Sequence, residues 1–297
     1  MSEVAPVEEE TRSHPAPFPE APIEPSPAAR KRLGLVAALY GYRTLASLLV
    51  AAPISLAVSW PTALFPRGPA ELFDPGGLML LESLRAVRRS PGPWMASTIT
   101  LSVVAALAGV LPLGALIAGL GRQGSLPRGY GVSRALAHLG TLILDYGLGL
   151  LAQVITAALV MVLGAKLIEV SRVPPPGEDL AYGAALLMAF IAASVVGVIR
   201  DLAMVSAVHR GLGFYDAGVR AMHALSFGAL GAWAWRATLG LLGLAAATAL
   251  APSLTGGSRA ALLLSLLLHQ AAIFGMTYAR ASWLAAAITR VDRASPQ

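Results

Sequence analysis

Three polar side chains lie deep within apolar segments that are long enough to cross a membrane. Gln153 comes 13 residues before Lys166, and His269 and Gln270 come 10 and 11 residues after Arg259. Polar groups near the middle of a bilayer are costly unless they find partners. We expect Gln153 to form an interhelical hydrogen bond with His269 or Gln270, worth about 0.6 to 2 kcal/mol. The alternative hypothesis is a solute or proton site in which His269 titrates.

Six charged residues form a second constellation inside the apolar segments. They are Arg43, Asp145, Arg200, Asp201, Arg236 and Arg280. Five of them lie 16 to 21 residues from the residue that ends their segment on the opposite side, which is a polar residue, a tryptophan or a proline. The sixth, Asp201, directly follows Arg200. At 1.5 Å per residue that distance is roughly 24 to 32 Å, about one bilayer core. The spacing therefore predicts one layer of charge at the inner lipid boundary, with helices continuing past it.

Aromatic residues accompany most of these charges. The neighbours are Tyr40 and Tyr42 beside Arg43, Tyr146 beside Asp145, Trp233 and Trp235 before Arg236, and Tyr278 and Trp283 around Arg280. Tyr and Trp favour the headgroup level, and an arginine stem can extend to reach it. We therefore interpret the charges as an interfacial ring in which Asp145 and Asp201 pair with nearby arginines. The alternative is a vestibule that attracts anions.

The composition indicates which elements carry these residues. The 297-residue chain is 56% hydrophobic and only 13% charged, whereas soluble domains carry roughly 25% charged residues. We predict an all-α, polytopic membrane protein, a bundle of about six transmembrane helices. The predicted spans are about 34–60, 95–121, 137–165, 180–207, 226–251 and 260–288. Pro53 and Pro112 fall inside the first two spans, where each should kink the helix.

The domain organisation has two parts. Residues 1–29 contain six glutamates against Arg12, with many prolines. Such a segment cannot bury enough apolar area to offset its ordering entropy, so we predict a disordered acidic tail. Residues 30–297 form the transmembrane domain. Within its first outer loop, Asp74 and Pro75 suit the start of a helix, which predicts an interfacial helix at about 75–89.

The distribution of Lys and Arg predicts the orientation. With a cytoplasmic N-terminus, ten of these residues lie between or beyond the spans on the cytoplasmic side and seven on the other side. This excess favours a bacterial inner-membrane protein with both termini in the cytoplasm. The basic residues sit between lipid-crossing segments, so we expect the lipid bilayer and not nucleic acid as the partner.

Residue patterns typical of intramembrane enzymes are absent from the sequence. There is no cysteine, no H-E-x-x-H motif, no Gly-x-Ser-x-Gly elbow and no phosphate-binding glycine loop. We therefore expect no enzymatic activity, no cofactor and no metal site. A non-enzymatic scaffold or subunit of a membrane complex is the favoured function. Its partner contacts would come from the proline-rich tail, from cytoplasmic helix extensions at about 201–225 and 281–293, or from the helix at 75–89.

Two other functions stay open at this stage. A small-solute, ion or lipid transporter would use Gln153 and His269 as a midplane site, with Gln270 beside them and with Pro53 and Pro112 shaping the path. An intramembrane enzyme is the third alternative, although no residue pattern supports it.

Overall fold

The chain folds entirely into helices wherever its structure is described. A computed structural model describes residues 29–62, 92–122, 124–171, 174, 177–254 and 259–294, and these ranges contain no strand. After a 3-10 turn at Ala29–Arg32, the α-helices are α1 (Leu33–Thr62), α2 (Gly92–Ala108), α3 (Val110–Gly121), α4 (Tyr130–Ala137), α5 (Leu139–Ser171), α6 (Gly177–Arg210), α7 (Phe214–Ala224), α8 (Phe227–Leu254) and α9 (Arg259–Arg293). The predicted tail, except Ala29, and the predicted helix at 75–89 lie outside the described residues.

Six segments are long and apolar enough to cross a membrane. They are Ala29–Pro53, Met95–Gly121, Leu139–Ser171, Gly177–Arg210, Phe227–Leu250 and Ala260–Arg293. Each corresponds to one predicted span, so the all-α, multi-pass fold class is confirmed. The helices of the third, fourth and sixth spans run three to six residues past their predicted ends, to Ser171, Arg210 and Arg293.

Proline acts differently in the first two spans. The second span is divided at Gly109 into α2 and α3. Pro112 lacks the backbone N–H that would bond to the carbonyl of Ala108, four residues earlier, so the helix is interrupted one turn before the proline. By contrast, α1 passes Pro53 without interruption. The interruption predicted at Pro112 therefore appears at Gly109, and the one predicted at Pro53 does not appear as a break in the helix.

The predicted extension at 201–225 is wrong as a single helix. Helix α6 ends at Arg210 because Gly211 adopts a left-handed conformation with φ of 71°. Glycine adopts this conformation without the steric cost that a Cβ would impose, and it is the common residue just past a helix end. The chain then starts α7 as a separate short helix against the end of α6.

Buried residues concentrate at one end of the bundle. The main cluster is built from residues 110–120 of α3, 198–208 of α6 and 281–291 of α9, and we call it the basal layer. Much of the rest of the spans is exposed, as at Leu163 (67%) and Leu187 (59%), although Ile168, Ala189 and Ala247 are buried there. Helices α5 and α6 pack as one hairpin, α8 and α9 as another, and α1 packs against α2. Side chains outside the basal layer are thus left for lipid, which solvates them as well as protein would.

Candidate functional site

Asp201 on α6 is the centre of a polar network that joins helices at the edge of the basal layer. Its side chain is completely buried, and its Oδ1 accepts a hydrogen bond from Nη2 of Arg280 on α9 at 2.5 Å. Its Oδ2 accepts a second bond from Nε1 of Trp283 at 2.8 Å. Because Trp283 lies three residues after Arg280, one turn of α9 presents both donors to the same carboxylate. The structure therefore forms the predicted pairing of Asp201 with an arginine.

Arg200 extends this network to α5. One of its nitrogens, Nη2, lies 3.4 Å from Asp201, and Nη1 donates to Oε1 of Gln153 at 2.7 Å. Gln153 in turn donates from Nε2 to the backbone carbonyl of Ala193 at 3.0 Å. The Arg200 guanidinium also lies 5.0 Å from the ring centre of Tyr146, a cation–π distance. The side chain is only 10% exposed, so this arginine faces the bundle interior and not the headgroups.

Arg43 on α1 adds a further positive charge to the network. It interacts electrostatically with Arg280, Asp201 and Arg200, but it makes no ion pair within the described part of the chain. Two guanidiniums, those of Arg200 and Arg280, therefore lie within 4 Å of the carboxylate of Asp201, and the charge of Arg43 acts on the same group. Nε of Arg200 and Nε of Arg280 are also buried without a hydrogen-bond partner among the described residues. The network thus carries excess positive charge in a poorly hydrated place, where an anion would be stabilised.

Asp145 does not join this network, contrary to the sequence interpretation. Its side chain is buried, with a 5% exposed residue surface, yet it makes no ion pair with the described residues. One of its oxygens, Oδ2, has no hydrogen-bond partner there. The reason is helical geometry, because Tyr146 occupies the face of α5 that meets Arg200, and Asp145 points about 100° away from its neighbour.

The predicted hydrogen bond between Gln153 and His269 or Gln270 is wrong. Gln153 bonds to α6, while Oε1 of Gln270 accepts from the hydroxyl of Tyr40 on α1 at 2.6 Å. Nδ1 of His269 pairs with the carbonyl of Ser265 in its own helix at 2.9 Å. Helix α5 packs against α6 and is not a neighbour of α9, so the three polar residues are divided among different contacts.

Arg236 also stands apart from the Asp201 network. Its Nε donates to Oγ of Ser282 on α9 at 2.9 Å, and its Nη1 donates to the carbonyl of Ala232 at 2.8 Å. The adjacent Trp235 is 64% exposed, as expected for a residue at headgroup level. The interpretation of Arg236 as an interfacial anchor stays a prediction, whereas Arg200 and Arg280 contact the buried carboxylate of Asp201.

No protein-family model, curated protein or solved structure matches this chain. The chemistry of the site therefore has to be read from its own geometry. Within the described ranges, no three His, Cys, Asp or Glu side chains come together in a way that could hold a metal ion. What the network offers is charge compensation between helices, together with excess positive charge at Arg43.

Sequence reasoning missed two members of the buried polar structure. Trp283 is 1% exposed and bonds to Asp201, although its neighbours suggested a headgroup anchor. Asp292 pairs with Nε2 of His209 at 3.1 Å and with Nη2 of Arg210 at 2.8 Å, which joins the ends of α6 and α9. The contacts of Asp292 could have been predicted, because the ends of α6 and α9 lie on the same side of the predicted membrane. The bond from Trp283 to Asp201 could not, because it depends on how α9 is oriented about its own axis. The apolar residues of α9 are distributed too evenly around the helix to indicate that orientation.

Proposed function

We propose that the protein is a non-enzymatic scaffold or subunit of a membrane complex, and that α7 contributes its docking surface. The observation that carries the proposal is the two-sided character of α7. One face is packed against the basal layer through Ala217, Ala221 and Ala224. The opposite face carries Tyr215, Val219 and Met222, exposed by 77%, 41% and 58%. These three follow a spacing of four and three residues, which places them on one stripe of the helix.

An exposed apolar stripe on a helix is the usual surface for a partner helix. A further apolar residue, Phe227, is 93% exposed at the start of the next helix, α8. The 3-10 turn at Ala29–Arg32 contacts α3 and α9, so the N-terminal tail begins near the basal layer. A partner bound to α7 could therefore also reach the proline-rich tail. We expect that partner to present an apolar helix to the α7 stripe.

The Asp201 network supports a scaffold by fixing the helices that carry this surface. Removing one member of a buried ion pair is strongly destabilising, because the other charge stays buried without compensation. The network joins α5, α6 and α9, while α7 is packed on the end of α6. The docking stripe is therefore attached to the best-buried part of the protein, as a preorganised binding surface requires.

The test combines native-membrane purification with photocrosslinking from position 215. A stoichiometric partner protein should copurify in mild detergent and crosslink to a photoreactive residue placed at Tyr215. The double substitution Tyr215→Ser with Val219→Ser should reduce the yield of that partner about tenfold or more, because hot-spot residues typically cost at least about 2 kcal/mol each.

The matched control uses α4, a second short helix with two exposed apolar residues four positions apart. Val132 and Leu136 are 45% and 52% exposed, and Val132→Ser with Leu136→Ser should leave the partner bound. Crosslinks from position 215 to lipid alone would contradict the proposal, since they would mean that α7 lies on the membrane surface. Equal loss of partner in both double variants would also contradict it.

A second candidate function, transport of a small anion, is favoured by one observation. Arg200 and Arg280 contact a single carboxylate with which Arg43 also interacts electrostatically, and rings of basic side chains select anions in membrane pores. Reconstituted vesicles should then pass chloride or phosphate, and both Arg43→Gln and Gln153→Leu should slow the flux. Vesicles that are tight to both anions would exclude this candidate.

A further inference from the structure

A groove runs along the outside of the α8–α9 hairpin. It encloses about 490 Å³, within the range of roughly 300 to 1,000 Å³ typical of small-molecule sites. Its walls combine residues of very small volume, including Gly240 and Gly243 on α8 and Ala272 and Gly275 on α9. Gly243 and Gly275 have no atom within 4 Å of the position that a Cβ would occupy. The groove is therefore open at Gly243 and Gly275, whereas at Gly240 the two helices are in contact, because a Cβ there would lie 3.1 Å from Cγ of Met276.

One end of the groove is polar and positively charged. Arg236 and Ser282 line it, and Nε of Arg236 donates to the Ser282 hydroxyl. Within the described residues, Arg236 has no carboxylate partner, and its Nη2 makes no hydrogen bond. Trp235 and Tyr278, both exposed, flank the same end. Aromatic residues of this kind mark the headgroup level of a membrane, so the charged end faces headgroups and the glycine-lined end faces hydrocarbon.

We propose that this groove binds one anionic glycerophospholipid. Its phosphate would accept hydrogen bonds from the free Nη2 of Arg236 and from the Ser282 hydroxyl, whose oxygen already accepts from Arg236. One acyl chain would lie in the open space beside Gly243 and Gly275. Arg236 supplies the charge complementarity, because a guanidinium binds phosphate oxygens with charge-assisted hydrogen bonds. The site is independent of the α7 docking surface.

A second copy of the chain fits this groove less well than a lipid does. A two-fold dimer would apply the same surface on both sides, so the Arg236 guanidiniums of both copies would be brought into one shared interface. Neither would bring a carboxylate, since the lining residues include no Asp or Glu. Like charges in such a place cost free energy. A phosphate group removes this problem, and an acyl chain fills the space that the glycines leave.

Two kinds of substitution test the two ends separately. Arg236→Gln removes the charge and should weaken binding of phosphatidylglycerol about tenfold, the loss expected for a hydrogen bond to a charged group. Arg236→Lys keeps the charge and should retain most of the binding. Gly243→Leu and Gly275→Leu extend side chains into the open space from opposite walls, with no atom within 4 Å of either Cβ position, and should also reduce binding about tenfold.

The controls are matched in chemistry and lie outside the groove. Gly183 on α6 is exposed with no atom within 4 Å of its Cβ position, so Gly183→Leu adds the same side chain to another lipid-facing helix. Arg128→Gln removes an exposed arginine between α3 and α4. Neither control should change phosphatidylglycerol binding by more than about twofold.

The measurement is native mass spectrometry of the full chain, titrated with phosphatidylglycerol and with phosphatidylcholine of the same acyl chains. We expect one tightly bound phosphatidylglycerol per chain, lost in Arg236→Gln, Gly243→Leu and Gly275→Leu. Circular dichroism and a monodisperse size profile establish that each variant is folded. If Arg236→Gln fails to fold, the two leucine variants decide the result.

Several outcomes would overturn the proposal. Equal affinity for both lipids would mean ordinary annular lipid. Full binding by both leucine variants would place the lipid elsewhere on the protein. Free inorganic phosphate competing as well as the lipid would show that the acyl chain contributes nothing. A dimer that persists in wild type and dissociates in Gly243→Leu would identify a second copy as the occupant.

Discussion

Replacing Asp201 by Asn should destabilise the protein more than any other exchange of a carboxylate for an amide among the described residues. The side chain is fully buried and accepts bonds at 2.5 Å from Arg280 and 2.8 Å from Trp283. Asn keeps the shape but removes the charge and turns one acceptor into a donor, which then faces another donor. The buried arginines lose the only close counterion that they have among the described residues, so we expect a loss of about 3 to 5 kcal/mol. That is a large fraction of a typical free energy of unfolding of about 5 to 15 kcal/mol.

The assay is unfolding in mixed detergent micelles, followed by circular dichroism as the SDS fraction rises. Glu169→Gln is the matched control, because Glu169 pairs with Lys166 at 2.8 Å while the two side chains are 68% and 72% exposed. An exposed pair of this kind contributes about 0 to 1 kcal/mol. The double variant Asp201→Asn with Arg280→Gln should lose less than the sum of the single variants. A loss for Asp201→Asn equal to that of Glu169→Gln would refute the existence of the buried network.

Two further predictions concern α5 and the turn before it. A Cβ at Gly149 would lie 2.5 Å from Cγ of Arg200, so Gly149→Ala should lower the free energy of unfolding by about 1 to 3 kcal/mol. Gly147 has open space around its Cβ position, so Gly147→Ala should raise the free energy of unfolding by up to about 1 kcal/mol. Equal effects in the same SDS titration would contradict this. Burial, and then the charge of Arg134, lower the pKa of His138 in the turn before α5. Its folded pKa lies below the unfolded value of 6.5, so the free energy of unfolding should fall as the pH drops below about 6.5. The difference between wild type and His138→Gln, measured from about pH 5 to 8, should therefore change with pH at the lower end and become constant at the upper end.

The number and order of the spans could be predicted from sequence because each rests on an average over many residues. A run of about 20 apolar residues is long enough to cross a bilayer whatever its neighbours do. Helix ends depend on fewer residues and were placed less well. The end of α6 at Arg210 follows from one left-handed glycine, Gly211, and the division of the second span follows from one missing N–H at Pro112.

The site was only partly predictable because depth and rotation are separate quantities. Counting residues gave the depth, and Arg200, Asp201 and Arg280 indeed meet at one level. Rotation decides whether a side chain at that level points to lipid or to the bundle, and nearly uniform apolar helices carry little information about it. Asp145 and Arg236 therefore share a predicted layer with Arg280, yet neither contacts the Asp201 network.

Because buried residues concentrate in the basal layer, this layer can hold the helices together, which the exposed outer parts of the helices cannot do. Lipid solvates an apolar side chain as well as protein does, so exposed residues such as Leu163 and Leu187 provide no drive that would hold the hairpins together. The contacts that fix the α5–α6 hairpin relative to α9 lie in or beside the basal layer, at Asp201 and at Asp292. Any change that loosens these two carboxylates should therefore let the hairpins separate along their outer lengths. The same change would displace α7, because α7 is packed on the end of α6 in this layer.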